Sequence, residues 1–198
     1  MADKNVVEKT KYGNFICQWV DDVLPLGEDR KTIFVPANDT EKLISQAEDV
    51  VAKAKAESWG LTAVLMSTLA AKYGDEVWEV AGKTMYDYGC QRGLELAKTM
   101  KIDPSDARSL GRVCDADDSS TGVKGEWIET GKKRAVKREL YCPLGTVLAV
   151  CPEICTRLFA SMERGAFDAM GAKVKDFRLT KHIPKGDPYC DVVIELED

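Results

Sequence analysis

The sequence contains one histidine, His182, in 198 residues. A Ser-His-Asp hydrolase would have to use this one residue, which argues strongly against that class. In a strand His182 would share a face with Arg178 and Thr180, so we expect it on a polar surface. A catalytic pair with Cys190 would then have to cross the sheet, unless a β-bulge intervenes.

Long hydrophobic runs are also missing. No stretch of about 18 apolar residues occurs, so a membrane-spanning helix is not expected. The opening sequence MADKNVVEKTKYGN lacks the apolar core of a signal peptide. These absences predict a cytoplasmic protein with no membrane partner.

Excess positive charge is absent as well. The net charge is −5 and the pI is about 5.1, which disfavours a nucleic-acid partner. No phosphate-loop or dinucleotide-binding motif occurs. The acidic stretch 115–122 lacks the ligand spacing of a calcium loop. The remaining classes are small-molecule enzymes and small-molecule or metal-binding modules.

Cysteine, by contrast, is plentiful. The count of seven is odd, which disfavours a complete disulfide framework. In a cytoplasmic setting these residues are free thiols or metal ligands. The seven are Cys17, Cys90, Cys114, Cys142, Cys151, Cys155 and Cys190.

The first part of the chain, residues 1–120, has mainly helical patterns. A short strand is predicted at 32–37, and Pro104 suits the first position of a later helix. The loop predicted at 115–122 marks the main boundary of the chain. The remaining predicted helices are one that starts near 38–41 and stops at Gly60, a buried apolar one at 61–74, and an amphipathic one at 75–100.

The second part, residues 121–198, changes to strand periodicity. Two strands flank the turn at 130–133, and two more flank the turn at 184–188. Between these hairpins a helix runs from Cys151 to about Met170 and ends at Gly171. The predicted fold is therefore α+β: a helical N-terminal half followed by a hairpin–helix–hairpin antiparallel sheet with a helix packed across it. We expect both parts to share one core.

Strand parity predicts which way the later cysteines point. In the second strand Val136, Leu140 and Cys142 share one face, and Lys137, Glu139 and Tyr141 share the other. In the last strand Cys190 shares a face with Val192, Ile194 and Leu196. Taking the apolar faces as inward, we expect Cys142 and Cys190 to point toward the core, near Cys151 and Cys155 on the helix.

Three interpretations of this cluster stay open. Buried thiols need no function, since cysteine is among the most buried residue types. The set Cys142, Cys151, Cys155 and Cys190 could bind a metal such as zinc, with Glu153 or Glu163 as a further ligand. Alternatively, Cys151 or Cys155 at a helix N-terminus gains thiolate character and acts as a nucleophile.

Two segments of the second part resemble a known family. The runs YCPLGTVLAVCPEIC (141–155) and KHIPKGDPYCDVVIE (181–195) are similar to the L-2-amino-thiazoline-4-carboxylic acid hydrolase family. The closing pattern also resembles the 4-vinyl reductase domain, a small-molecule-binding module in which cysteines can hold zinc. The resemblance points to Cys142, Cys155 and Cys190, with Asp187 and Asp191 beside the last.

What the resemblance implies is a hydrolase that acts on a C–N or C=N bond of a cyclic, thiazoline-type amino-acid-like compound. A divalent metal, zinc or manganese, could activate the attacking water. The alternative is a small-molecule or metal-binding module with structural zinc. The catalytic candidates are Cys155, Cys190, Glu163 and Asp187, and the substrate-binding candidates are Arg178 and Arg157, for a carboxylate, and Tyr86, as pocket lining.

The predicted partners are a small-molecule ligand or substrate and a second copy of the chain. The apolar stretch 61–72 suggests the homodimer interface, although a buried core helix would explain the same pattern.

Overall fold

The computed structural model describes residues 40–197. The chain divides into two compact units, residues 1–50 and residues 51–198. The described residues cover the second unit up to residue 197 and the start of the first helix. The strand predicted at 32–37 and Cys17 lie outside the described residues.

Helix α1 (Thr40–Tyr73) is longer than the sequence predicts. It continues through Gly60, where a stop was expected, so that prediction is wrong. Glycine inside a helix costs only about 1 kcal/mol, and packing on both sides offsets that cost. The Trp59 ring meets Phe159 edge-to-face at 4.6 Å between ring centroids, and Ala63 is fully buried.

Helices α2 (Asp75–Met100) and α3 (Ala107–Thr121) follow. Asp106 is the N-cap of α3 and accepts hydrogen bonds from the backbone N–H groups of Arg108 and Ser109. The predicted start at Pro104 is therefore too early. The loop predicted at 115–122 is also wrong, because the last two turns of α3 occupy that stretch, up to Thr121.

The strands are β1 (Lys124–Thr130), β2 (Arg134–Tyr141), β3 (Val174–Lys181) and β4 (Cys190–Leu196). They form one antiparallel sheet in the order β1-β2-β4-β3. The connection between the hairpins contains the short helix α4 (Gly145–Leu148), a π-helical turn (Cys155–Phe159) and helix α5 (Ala160–Ala169). Gly171 follows α5 with a φ of 81°. This architecture confirms the predicted α+β fold.

The register of β2 against β4 reverses one prediction. Lys137 pairs with Val192, and Glu139 pairs with Cys190, so the inward face of β2 carries these two charged residues. Leu140, predicted inward, is 55% exposed. Lys137 can be buried because Asp115 and Asp118 on α3 bind its ammonium group at 2.6 and 2.5 Å. The prediction for Cys190 is confirmed, since it is buried on the inward face of β4.

One hydrophobic cluster joins the sheet to α3 and α5. It contains Leu110 and Val113 of α3, Phe167 of α5 and Ile194 of β4. A second cluster joins α1, α2, α4 and the π-helical turn. Residues on both sides of position 120 thus share one core.

Glycines let α2 and α5 approach closely. A Cβ atom at Gly89 would lie 1.9 Å from the carbonyl oxygen of Met162, and one at Gly165 would lie 2.1 Å from that of Tyr86. Neither distance leaves room for a side chain. The backbone contact fixes where α5 lies, and therefore where its residues meet the sheet.

The apolar stretch 61–72 is only partly buried. Ala63 and Met66 are buried, whereas Leu61, Val64 and Leu65 are each more than half exposed. The prediction that this stretch forms a fully buried helix is therefore wrong. None of the helices within residues 40–197 combines the length and hydrophobicity that crossing a bilayer would need.

Candidate functional site

A cavity of about 180 Å³ lies between the inward face of the sheet and the helices that cover it. Its apolar wall includes the side chains of Trp59, Leu148, Phe159, Phe177, Leu179 and Val192. Its polar lining consists mainly of four carboxyl groups, Asp117, Asp118, Glu139 and Glu163, and four thiols, Cys114, Cys142, Cys155 and Cys190. An apolar pocket with a few convergent polar groups is the usual form of a small-molecule site.

The π-helical turn places two residues of this lining. Wider turns of this kind are frequent at functional sites, because they re-aim side chains that a regular helix would place elsewhere. Here the turn begins at Cys155 and ends at Phe159. Both side chains reach the cavity, with Phe159 held against Trp59.

The thiols in the cavity are protonated at neutral pH. Burial raises the pKa of Cys155 and of Cys190 to about 12 and that of Cys142 to about 11. Cys190 Sγ also accepts a hydrogen bond from the backbone N–H of Ile183 at 3.2 Å. The predicted thiolate character at Cys151 or Cys155 is wrong in direction, because burial raises the pKa of Cys151 as well.

Glu139 lies opposite Cys190 on the neighbouring strand. Burial, reinforced by the charge of Asp118, raises the pKa of Glu139 to about 8. Glu139 and Cys190 both line the cavity. The cavity therefore contains a carboxyl group, that of Glu139, whose protonation changes close to neutral pH.

Glu163 on α5 is 7% exposed, and its Oε2 atom has no hydrogen-bond partner among the described residues. Complete burial and a hydrogen bond with Asp117 raise its pKa well above the usual range. Asp117 in turn binds Arg92, whose Nη1 donates to Oδ2 at 2.6 Å. Glu163 therefore holds a proton more tightly than an exposed glutamate does, and it lies beside a carboxyl group that is paired with Arg92.

Asp118 is held at the cavity by the buried ammonium of Lys137. Burial raises the pKa of Asp118, although the hydrogen bond from Lys137 opposes that shift. The Lys137 ammonium also lies 5.6 Å from the centre of the Trp127 ring. The network fixes the inner ends of α3 and β2 beside the cavity.

Among the residues that the structure describes, no lysine, arginine or histidine lines the cavity. Four carboxyl groups thus face an apolar space whose own wall supplies no positive charge. Such a site favours a neutral or positively charged molecule over an anion.

Of the residues predicted from sequence, four meet in the cavity. They are Cys142, Cys155, Cys190 and Glu163. Cys151 is buried in the second hydrophobic cluster, beside Leu148 and Ile154, and is not part of the lining.

Three other predicted site residues make contacts away from the lining. Asp187 accepts a hydrogen bond from the backbone N–H of His182 at 2.9 Å and so closes the turn before β4. Arg157 binds Asp75 at 2.6 Å on the surface. The hydroxyl of Tyr86 donates to Asp168 at 2.9 Å, and this hydrogen bond, with burial, raises the pKa of Tyr86 to about 12.

A fourth predicted site residue, Arg178, pairs with Asp176 and lies 3.6 Å from Glu195. It extends from the sheet face opposite the cavity, because its β4 partner is Val193 and not Val192. Neither predicted arginine lines the cavity.

The metal predicted from the sequence would need donor atoms gathered around one point of the cavity. Cys142, Cys155, Cys190 and Glu139 are chemically suitable for zinc. Within residues 40–197, however, no group of three or more His, Cys, Asp or Glu side chains has the arrangement that would hold a metal ion. The donors do not fit a metal centre as they stand, so no chemical step is derived through one.

Sequence reasoning missed Glu139, Cys114, Asp117 and Asp118. The last three belong to one face of α3, because Leu110, Cys114, Asp117 and Thr121 recur at spacings of four, three and four. That helical spacing was the available signal. Glu139 gave no comparable signal, since its inward position depends on the pairing of Lys137 with α3.

Comparisons with known proteins bear on the fold. No family model matches the sequence, and no curated protein sequence matches it. A trafficking protein particle complex subunit 3 from Naegleria fowleri, covalently bound to palmitic acid, aligns with a TM-score of 0.50 and 12% identity over 74% of this chain and 97% of that chain. The phenol-responsive sensory domain of the transcription activator PoxR, solved with phenol, aligns with a TM-score of 0.53 and 15% identity over 69% of this chain and 73% of that chain. Both similarities concern the fold alone.

Proposed function

We propose that this protein is a small-molecule-binding module whose ligand occupies the cavity between the sheet and helices α3 and α5. The observation that supports this function best is the cavity itself, with its apolar wall and convergent carboxyl groups. Its volume of about 180 Å³ suits a compact ligand, since an engineered apolar cavity of about 150 Å³ binds benzene.

The two structural neighbours support the same function. One holds palmitic acid covalently, and the sensory domain responds to phenol. Neither protein determines the ligand here, because fold similarity at 12% and 15% identity does not carry a binding specificity.

A ligand screen with a blocked variant tests this function. Ala160 lines the cavity, so Ala160→Phe fills part of it, whereas Ala71→Phe on the exposed face of α1 is a matched control. Small aromatic and aliphatic compounds should raise the melting temperature of the wild type and of Ala71→Phe, but not that of Ala160→Phe. Equal responses in all three proteins would show that the cavity is not the binding site.

The hydrolase is the second candidate, and one pair of residues favours it. Glu139 has a pKa near 8 and lies opposite Cys190 on the neighbouring strand, and both residues line the cavity. In this proposal Glu139 takes the thiol proton as general base, Cys190 Sγ bonds to the C=N carbon of a thiazoline-type ring, and Glu139 returns the proton to the ring nitrogen as the π bond breaks. Water then attacks the same carbon and displaces Cys190 as the thiol, so that one water is added across the C=N bond. The carboxylate of such a substrate would have to be bound without a lining arginine or lysine.

Turnover of a panel of cyclic C–N substrates, with and without added zinc or manganese, tests the hydrolase. Activity in the wild type that is lost in Cys190→Ser and retained in Cys151→Ser would support it, because Cys151 is outside the cavity lining. The zinc or manganese proposed from the sequence is checked by elemental analysis of the same preparations. No turnover of any compound under any of these metal conditions would reject the hydrolase.

A homodimer is also retained as a proposal. Leu61, Val64 and Leu65 present an exposed apolar face on α1. Light scattering of the wild type and of Leu65→Glu should give a dimer and a monomer, respectively. A monomeric wild type at high concentration would reject this interface.

A cytoplasmic location is likewise a proposal, which imaging of the tagged protein would test.

A further inference from the structure

The charge balance of the cavity lining specifies the ligand more closely. Of the four lining carboxyl groups, Asp117 is bound by Arg92 and Asp118 by Lys137. Within residues 40–197, Glu139 and Glu163 form no ion pair with a lysine, an arginine or the histidine. Two of the four acids therefore have no cation of their own.

Glu163 is the more deeply buried of these two acids. No N–H or O–H group of the described residues reaches its Oε2 atom, although the side chain lines the cavity and is 93% buried. A buried polar atom left without a partner is costly and is rare in folded proteins. Oε2 is enclosed in this structure, so a hydrogen-bond donor on a molecule in the cavity would supply that partner once the Glu163 carboxyl turns toward the cavity that the side chain lines.

The rest of the cavity wall suits a ligand that carries a hydrogen-bond donor on an apolar body. Trp59, Phe159 and Phe177 present aromatic surface to the same space. Aromatic faces attract cations as well as apolar groups. No lysine, arginine or histidine of the lining would repel a positive charge.

We propose that the cavity binds a small organic cation, in which a protonated amine contacts Glu163 and a single-ring apolar body packs against the aromatic wall. This inference rests on the proposed binding function and narrows it to one class of ligand. A carboxylate ligand would instead meet the four carboxyl groups without a counter-charge.

Binding of the ammonium releases a proton. Burial raises the pKa of free Glu163 and so favours its protonated form before the ligand arrives. The ammonium stabilises the carboxylate form, and the proton of Glu163 passes to the buffer. The titratable and charged groups around Glu163 are Asp117, Asp118 and Cys114 on α3, Arg92 on α2 and Glu139 on β2.

The test compares four probes of one shape by calorimetry at pH 7: benzylamine, benzyl alcohol, toluene and benzoate. Benzylamine should bind at least about tenfold more tightly than benzyl alcohol, and benzoate should not bind. The binding enthalpy of benzylamine should differ between phosphate and Tris. The difference should equal the difference between the ionisation enthalpies of the two buffers, multiplied by about one released proton. Benzyl alcohol should show no such difference.

Two variants locate the contact. Glu163→Gln keeps the shape of the neutral acid but cannot become an anion, so it should weaken benzylamine about tenfold or more and abolish proton release. Its binding of benzyl alcohol should stay within about twofold of the wild type. Glu57→Gln, an exposed residue of α1, should bind all four probes as the wild type does.

The outcomes separate the two proposals. If benzyl alcohol or toluene binds as tightly as benzylamine, or if Glu163→Gln leaves benzylamine unaffected, the cation proposal is overturned and the binding function stands. If benzoate binds best, the cation proposal is overturned in the same way. If none of the four probes binds to wild-type protein, the single-ring cation proposal is overturned, while the broader compound screen decides the cavity function.

Discussion

Glu139 and Cys190 lie directly opposite each other on β2 and β4, and both residues line the cavity. The same burial raises the pKa of the acid to about 8 and that of the thiol to about 12. The acid therefore changes charge at a pH where the thiol stays protonated. This pair couples the stability of the fold to pH near neutrality.

The first prediction concerns this pH dependence. Glu139 binds its proton more tightly in the folded protein than in the unfolded chain, where its pKa is near 4.3. Its contribution to stability is therefore fully present below about pH 4 and is lost as pH rises through about 8. Glu139→Gln removes the titration and should be more stable than the wild type at pH 9 by on the order of 1–3 kcal/mol.

Urea unfolding of both proteins at pH 6, 7.5 and 9 measures this effect. The variant should lose less stability than the wild type across the range. Glu126→Gln, an exposed change on β1, is the matched control and should follow the wild type. Identical pH slopes for Glu139→Gln and wild type would contradict the prediction.

Much of the fold follows from the sequence because its signals are local. Turn residues mark both hairpins, and Gly171 ends α5 in a left-handed conformation, with φ of 81°. The period of β4 also places Cys190 correctly. Local patterns fail at Gly60, where the contact between Trp59 and Phe159 keeps α1 continuous. That contact joins residues a hundred positions apart, which no local pattern encodes.

The candidate site was only half predictable for the same reason. Cys155 and Cys190 follow from helix and strand periodicity. Cys142 lies beyond the end of β2, so its place in the cavity does not follow from the strand face predicted for it. The inward face of β2 does not follow either, because apolar periodicity places Leu140 inside and Lys137 outside. The observed arrangement reverses this, since Asp115 and Asp118 of α3 neutralise Lys137. Assigning 115–122 to a loop removed these partners from consideration.

The second prediction tests that ion pair. Lys137→Met keeps the length and apolar surface of the side chain but leaves Asp118 buried without its cation. Removing one partner of a buried pair costs about 3 kcal/mol or more. Lys83→Met removes an exposed pair with Asp87 and should cost less than about 0.5 kcal/mol.

Chemical denaturation at pH 7 measures both changes. The double variant Lys137→Met/Asp118→Asn should recover part of the loss, because the unpaired carboxylate is also removed. If Lys137→Met lowers the free energy of unfolding no more than Lys83→Met does, the buried pair does not stabilise the fold.

The third prediction concerns the contact between α2 and α5. A Cβ atom at Gly89 would collide with the backbone of Met162 at 1.9 Å, so Gly89→Ala must push the helices apart. We expect a loss of about 3 kcal/mol, the upper range for overpacking. Gly60→Ala meets only Val147 at 3.4 Å and should gain up to about 1 kcal/mol from helix propensity.

Melting temperatures of the two glycine variants provide the measurement. They should move in opposite directions relative to the wild type. Because α5 carries Glu163, ligand binding by Gly89→Ala should weaken as well. Equal melting temperatures would mean that α2 and α5 do not pack through Gly89.

The fourth prediction concerns thiol chemistry and the metal. Only a thiolate reacts rapidly with iodoacetamide, and burial raises the pKa values of Cys142, Cys155 and Cys190 to about 11 or 12. Mass spectrometry of labelled peptides at pH 7.5 should find these three thiols modified much more slowly than in urea-unfolded protein. Prior chelation should leave the slow rates unchanged. A bound metal would hold the thiols as thiolates, so near-unit zinc content together with rapid labelling after chelation would instead establish the metal site inferred from the sequence.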